Sequence, residues 1–99
     1  MKREFCIMPE SPLYKTERFY GSERHEVFEG RTGNRAKSIE DGLVIFLTAE
    51  QHRTGKNAIH KDYEFWNEVK AIAEKRWCEF YNKTPEQFLK RYGRNYLWY

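Results

Sequence analysis

The sequence predicts an α+β fold: a small two-stranded hairpin followed by two C-terminal helices. Three observations predict it. Leu43–Leu47 is an unbroken apolar run, β-branched and aromatic, entered from Asp41-Gly42, which is the pattern of a buried strand. From Asp62 to about Asn82, Trp66, Val69, Ala73, Trp77, Phe80 and Tyr81 recur at steps of three and four, with Ile72 beside them; that spacing makes one apolar helix face. Thr84-Pro85-Glu86-Gln87 reads as a capping box with proline at the first helical position. It opens a second helix that carries Phe88, Leu89 and Tyr92 and stops at Gly93.

The remaining elements follow in order. Residues 1–21 hold Pro9, Pro12 and Gly21 without a steady period, a loop-rich lead-in with a turn near Pro9–Pro12. Arg24–Phe28 is the expected first strand. Glu29–Asn34 is a turn-rich insert, in which Gly30, Gly33 and Asn34 tolerate positive φ. Ala49–Arg53 reads as a short helical turn broken by Thr54-Gly55-Lys56-Asn57. The tail Arg94–Tyr99 is too aromatic to remain in water and is expected to pack back, within a helical C-terminal half spanning 62–97.

A chain of 99 residues is one domain, 1–99, with a modest core. Aromatics at 17% compensate for few aliphatics, because each buried ring removes a large area from water. Charged residues at 33% and a mean hydropathy of -0.97 imply a very polar surface. The net charge of +3 permits local phosphate-binding patches without requiring them. No apolar run approaches the ~18 residues of a membrane span, and Met1–Cys6 lacks a signal-peptide core, so a cytoplasmic protein is expected. Cys6 and Cys78 make neither a disulfide framework nor a four-cysteine zinc site; they read as reduced thiols.

All three histidines precede the long helix: His25 in the first strand, His52 after the second, His60 just before the helix. A strand–turn–strand–helix path can bring those points together, and neutral imidazole suits zinc, nickel and other transition metals. Glu26 adjoins His25. Adjacent strand residues point to opposite faces, so the two serve one site only at a bulge or a strand end. On spacing alone, surface or capping roles stay open for each histidine. The same holds for Arg24, Arg31, Arg35, Lys37, Arg53 and Lys56, which could hold phosphates or form a solvated surface interleaved with Glu23, Glu29 and Glu40. The stripe Trp66–Trp77–Phe80–Tyr81 is core by its helical spacing rather than a platform for stacking bases.

The set Arg24-His25-Glu26-Val27-Phe28, Gly30, Asn34-Arg35, Lys37-Ser38, Gly42-Leu43, Leu47, His52, Ala58-Ile59-His60, Phe80-Tyr81, Phe88 and Tyr92–Leu97 resembles small phage-encoded HNH endonuclease-like (ββα-metal) proteins. These are related to the nuclease domain of phage recombination-enhancement proteins. The resemblance runs over residues 24–97 and lies in the order and spacing of the whole set. It implies a ββα-metal-like hairpin core and one divalent metal ion on His25, His52 and His60. It puts Glu26 at the general-base position, Gly42 near the place of a central Asn, and phosphate contacts on Arg24, Arg31, Arg35, Lys37, Arg53 and Lys56. Two departures stand out. Many family members carry a structural zinc on two CxxC-type pairs, whereas here Pro9 stands where the partner of Cys6 would be, and Thr48 and Gln51 replace the second pair; no structural zinc is expected. And Glu26, with an ordinary pKa of about 4.3, is a weaker base than imidazole. The function implied is a phage or prophage protein that binds DNA and cuts it with one metal ion. The alternative is an inactive scaffold of the same shape that grips a protein partner, for example a host nuclease in counter-defence. A metal module without nucleic acid is a third reading.

Overall fold

The computed structural model describes residues 4–30 and 33–97. Its elements run β1 (Ser22–Glu26), α1 (Asn34–Asp41), β2 (Val44–Thr48), one π-helical turn (Glu50–Thr54), α2 (Tyr63–Tyr81) and α3 (Pro85–Tyr92). The architecture is α+β, as the sequence predicts.

The two strands pair antiparallel, with Glu23 opposite Leu47, Arg24 opposite Phe46, His25 opposite Ile45 and Glu26 opposite Val44. Directly opposed side chains share a face. Glu23 and His25 therefore go with Leu47 and Ile45 toward the main core, and Arg24 and Glu26 go with Phe46 and Val44 to the other side. The lead-in covers that other side. Lys15 and Phe46 exchange backbone hydrogen bonds of 3.1 and 2.8 Å. The Cys6 thiol donates to the Val44 carbonyl at 3.1 Å, and the Arg18 guanidinium lies 5.2 Å from the Phe46 ring centroid. With both faces covered, β2 reads as a continuous apolar run rather than an alternating one. The lead-in turns at Ser11–Tyr14, where the Tyr14 hydroxyl donates to the Pro9 carbonyl.

The insert between the strands is not only a turn: it contains α1. This helix lacks an apolar stripe, and what it buries is Ser38 and Asp41. The Ser38 hydroxyl donates to the Leu43 carbonyl at 2.6 Å and accepts from the Phe28 amide at 3.2 Å. The Asp41 carboxylate accepts from Trp77 Nε1 (2.9 Å), Arg91 Nε and Nη2 (2.6 and 2.8 Å) and the Tyr92 hydroxyl (2.6 Å). One carboxylate thus ties α1, α2 and α3 together.

The Asp62 side chain caps α2 by accepting from the Phe65 amide at 3.0 Å, and Asn82 ends it in the left-handed region. Val69, Ala73 and Trp77 are buried against Ile45, Leu47, Phe88 and Tyr92, with Trp66, Ile72 and Tyr81 at the margin. Phe80 is 47% exposed, so the stripe is narrower than its spacing suggests. Both bonds of the Thr84–Gln87 capping box form. Phe88 and Tyr92 of α3 face inward, while Leu89 stays exposed. In the tail, the Tyr96 ring meets Phe28 at 5.3 Å, and its amide donates to the Glu74 carboxylate at 2.6 Å. The expectation for Trp98 and Tyr99 lies outside the described residues. Among the described residues, no helix is long and apolar enough to cross a membrane.

Candidate metal centre

Three local devices bring the histidines together. His25 reaches the inner face of β1 by strand alternation. His52 follows β2 through a turn closed by its own side chains: the Thr48 amide donates to Gln51 Oε1 (3.0 Å) and the Gln51 amide to Thr48 Oγ1 (3.1 Å). These are the two positions where the resemblance would place zinc-binding cysteines. The π-helical turn then closes with the Gly55 amide donating to the Glu50 carbonyl at 2.8 Å. A Cβ at Gly55 would lie 2.5 Å from that oxygen, so the wide turn needs glycine there. His60 is delivered by a loop stitched to the same turn, with the Ile59 amide donating to the Gln51 carbonyl at 2.7 Å.

The resulting cluster is compact. His52 Nε2 lies 2.9 Å from His60 Nε2 and 3.2 Å from His25 Nδ1, and one nitrogen from each ring lies within 4.8 Å of the others. Ligand atoms around a tetrahedral ion with bonds of ~2.1 Å are ~3.4 Å apart, so the spacing is close to that of a ligand set. The tautomer of His52 agrees. Its Nδ1 is 2.9 Å from Glu23 Oε1, so Nδ1 carries the proton and donates it to the carboxylate. Nε2 then faces two other ring nitrogens, a geometry that one shared cation satisfies and a single hydrogen bond does not. His60 has a looser version, with Nδ1 3.9 Å from Glu29 Oε1. Carboxylates behind ligating imidazoles orient them and raise their basicity. His25 Nε2 is buried with no hydrogen-bond partner.

Burial pushes the His25 imidazole down to a pKa of about 3, with the charges of His60, His52, Lys70 and Arg53 acting the same way. Burial also lowers His60, with His52 adding to the effect and Glu29 opposing it. Both rings are held neutral, the form that binds metal. Trp66 walls the cluster, its ring centroid 5.0 Å from those of His25 and His60, anchored by its Nε1 donating to the Val27 carbonyl at 2.9 Å. His25 and His52 are buried, and the His60 side chain keeps 23% of its surface exposed. The cluster is therefore open on one side.

Glu26 leaves on the other face of β1. Its carboxylate accepts from Arg24 Nε (3.2 Å) and Arg35 Nε (2.6 Å), and Arg24 also donates to Glu4 at 3.0 Å. The Lys37 ammonium donates to the Arg91 carbonyl at 2.9 Å. Arg53 and Lys56 are exposed on and just after the π-helical turn, and Arg31 lies outside the described residues. Gly42 holds φ at +79, and a Cβ there would meet the Phe5 side chain at 3.0 Å and Ile7 at 3.1 Å. The position that resembles the central Asn of HNH proteins is thus filled by the lead-in.

Two members of the site, Glu23 and Glu29, read as surface charge in the sequence. Glu23 carried a usable signal: it stands two residues before His25 in a strand and so shares its face. Glu29 comes close only through the path of the loop after β1, which no local pattern announces. No family model, curated protein or solved structure matches this chain.

Proposed function

We propose that His25, His52 and His60 hold one divalent transition-metal ion, and that the protein acts on DNA as a small HNH-like, single-metal endonuclease of phage or prophage type in the host cytoplasm. The observation that carries this reading is the convergence of three imidazoles at a site with one open side. Three protein donors with a position left for another ligand are typical of catalytic rather than structural sites. When bound, such an ion supplies Lewis-acid stabilisation of charge on a phosphodiester and its leaving oxygen. His25 and His52 would ligate from the buried side and His60 from the rim, with Glu23 fixing the His52 ring. Proton transfer from water falls to a carboxylate. The resemblance assigns Glu26, whose oxygens are engaged by Arg24 and Arg35; Glu29 stands nearer the rim, beside His60.

The position of Glu26 favours a second reading, in which the scaffold keeps the metal ion but has lost catalysis and binds a protein partner. Plasmid nicking with added Mg²⁺, Mn²⁺, Zn²⁺ or Ni²⁺ separates the two. The nuclease reading expects metal-dependent nicking that His25→Ala abolishes, and a loss of about 10²-fold or more in Glu26→Gln or Glu29→Gln, whichever is the base. Metal uptake without nicking by wild type supports the binder. Salt-sensitive DNA affinity would then assign the partner as nucleic acid, and no DNA affinity would assign it as protein.

A further inference from the structure

Among the described residues, Lys70 has no carboxylate in hydrogen-bond or ion-pair contact; Tyr63 and Glu29 act on its charge only from farther away. It lies half-buried on α2, its ammonium 4.4 Å from the centroid of the Trp66 ring and 5.2 Å from that of Tyr96. The arginines around β1 and α3 are ion-paired in place: Arg24 and Arg35 with Glu26, Arg18 with Glu4, Arg91 with Asp41. Aromatic faces attract an ammonium but do not neutralise it, and a partly desolvated charge without a counter-charge is costly. Burial and the charge of Arg94 hold Lys70 below its usual pKa, with Tyr63 and Glu29 opposing them. The indole under Lys70 is the same one that touches His25 and His60, so the ammonium stands one indole ring away from the trihistidine cluster. Arg94 belongs to the same patch. Its guanidinium lies 5.4 Å from the Tyr96 ring centroid, and together with Asn67 it hydrogen-bonds the Tyr63 hydroxyl. Tyr63, Asn67 and Lys70 stand at i, i+4 and i+7 of α2, one ridge of the helix.

We propose that Lys70, supported by Arg94, forms an anion subsite beside the trihistidine centre, shaped to take a non-bridging oxygen of a phosphate group whose ligand occupies the open side of that centre. The inference rests on the metal-site reading above. It moves the phosphate contact away from Arg24, Arg35 and Lys37, which are already engaged, to the face built by α2 and the tail.

The test uses the whole protein loaded with Co²⁺, whose visible bands report coordination, titrated with inorganic phosphate. Wild type should show a saturable change. Lys70→Met should bind Co²⁺ at least as tightly as wild type, because it removes a positive charge that acts on His25, but need about tenfold or more phosphate, the scale of one lost charge-assisted hydrogen bond. Lys70→Arg should restore most of the response, and Lys75→Met, on an exposed position of α2, should match wild type. Equal phosphate affinity in wild type and Lys70→Met, with Co²⁺ bound in both, overturns the inference and leaves the metal reading standing. Failure of wild type to bind Co²⁺ overturns both. A Lys70-dependent phosphate site in a protein that never nicks DNA supports the inference and removes only the endonuclease.

Discussion

His25 is almost fully buried, neutral, and left with an unpartnered ring nitrogen. Its pKa of about 3 in the folded chain compares with ~6.5 in the unfolded chain. Between those values the unfolded state binds a proton that the folded state refuses. Stability of the metal-free protein is therefore full above about pH 6.5 and is lost as pH falls toward 3, at about 1.4 kcal/mol per pH unit for one such proton. His60 is shifted in the same direction. Urea melts from pH 7 to 4 should show this slope, and His25→Gln should flatten it; an unchanged slope would mean that carboxylates carry the acid sensitivity instead. Glu23 tests the other side of the site. Glu23→Gln should leave the fold intact and weaken metal affinity by about 10- to 100-fold, as loss of a carboxylate behind a ligating imidazole does; equilibrium dialysis measures it. At this scale the sequence was half legible. The three histidines stood out by residue type. Their carboxylates did not, because glutamate is common on any polar surface: Glu23 is betrayed only by its alternation with His25 in β1, and Glu29 only by the path of the loop that follows.

Elements were legible where their boundaries are written in side chains. The Thr84–Gln87 box announces α3 and forms as read; Asp62, read only as the start of the long helix, caps α2. The strands were found within two residues. α1 was not foreseen, because its buried residues, Ser38 and Asp41, are polar and pay their way through hydrogen bonds that only the tertiary structure supplies. The Thr48–Gln51 closure was equally hidden, since each residue looks like an ordinary loop position. Trp77 carries the prediction for this scale. It packs on Phe88 and Tyr92 and donates to Asp41, so Trp77→Ala should cost roughly 3–5 kcal/mol, read from chemical denaturation. A midpoint unchanged from wild type would show that the packing of α2 is wrongly described.

For the whole molecule, the trihistidine cluster joins β1, the π-helical turn and the loop entering α2. An ion that binds only the folded chain should raise the melting temperature with ion concentration, by about 2.7 kcal/mol of added stability at one hundred times the dissociation constant. His60→Ala should remove that dependence while leaving the metal-free melting temperature close to wild type, because His60 lies at the rim. A metal-induced rise that persists in His60→Ala would place the ion elsewhere. The Asp41 hub has a different consequence. A shortened gene ending at Asn82 would keep every histidine and all of α2, yet strip Arg91 and Tyr92 from a buried carboxylate and leave Trp77 as its one side-chain donor. The histidine cluster therefore cannot be excised as a smaller folded piece by trimming the C-terminus, and a nonsense codon after α2 would yield a chain fit for proteases.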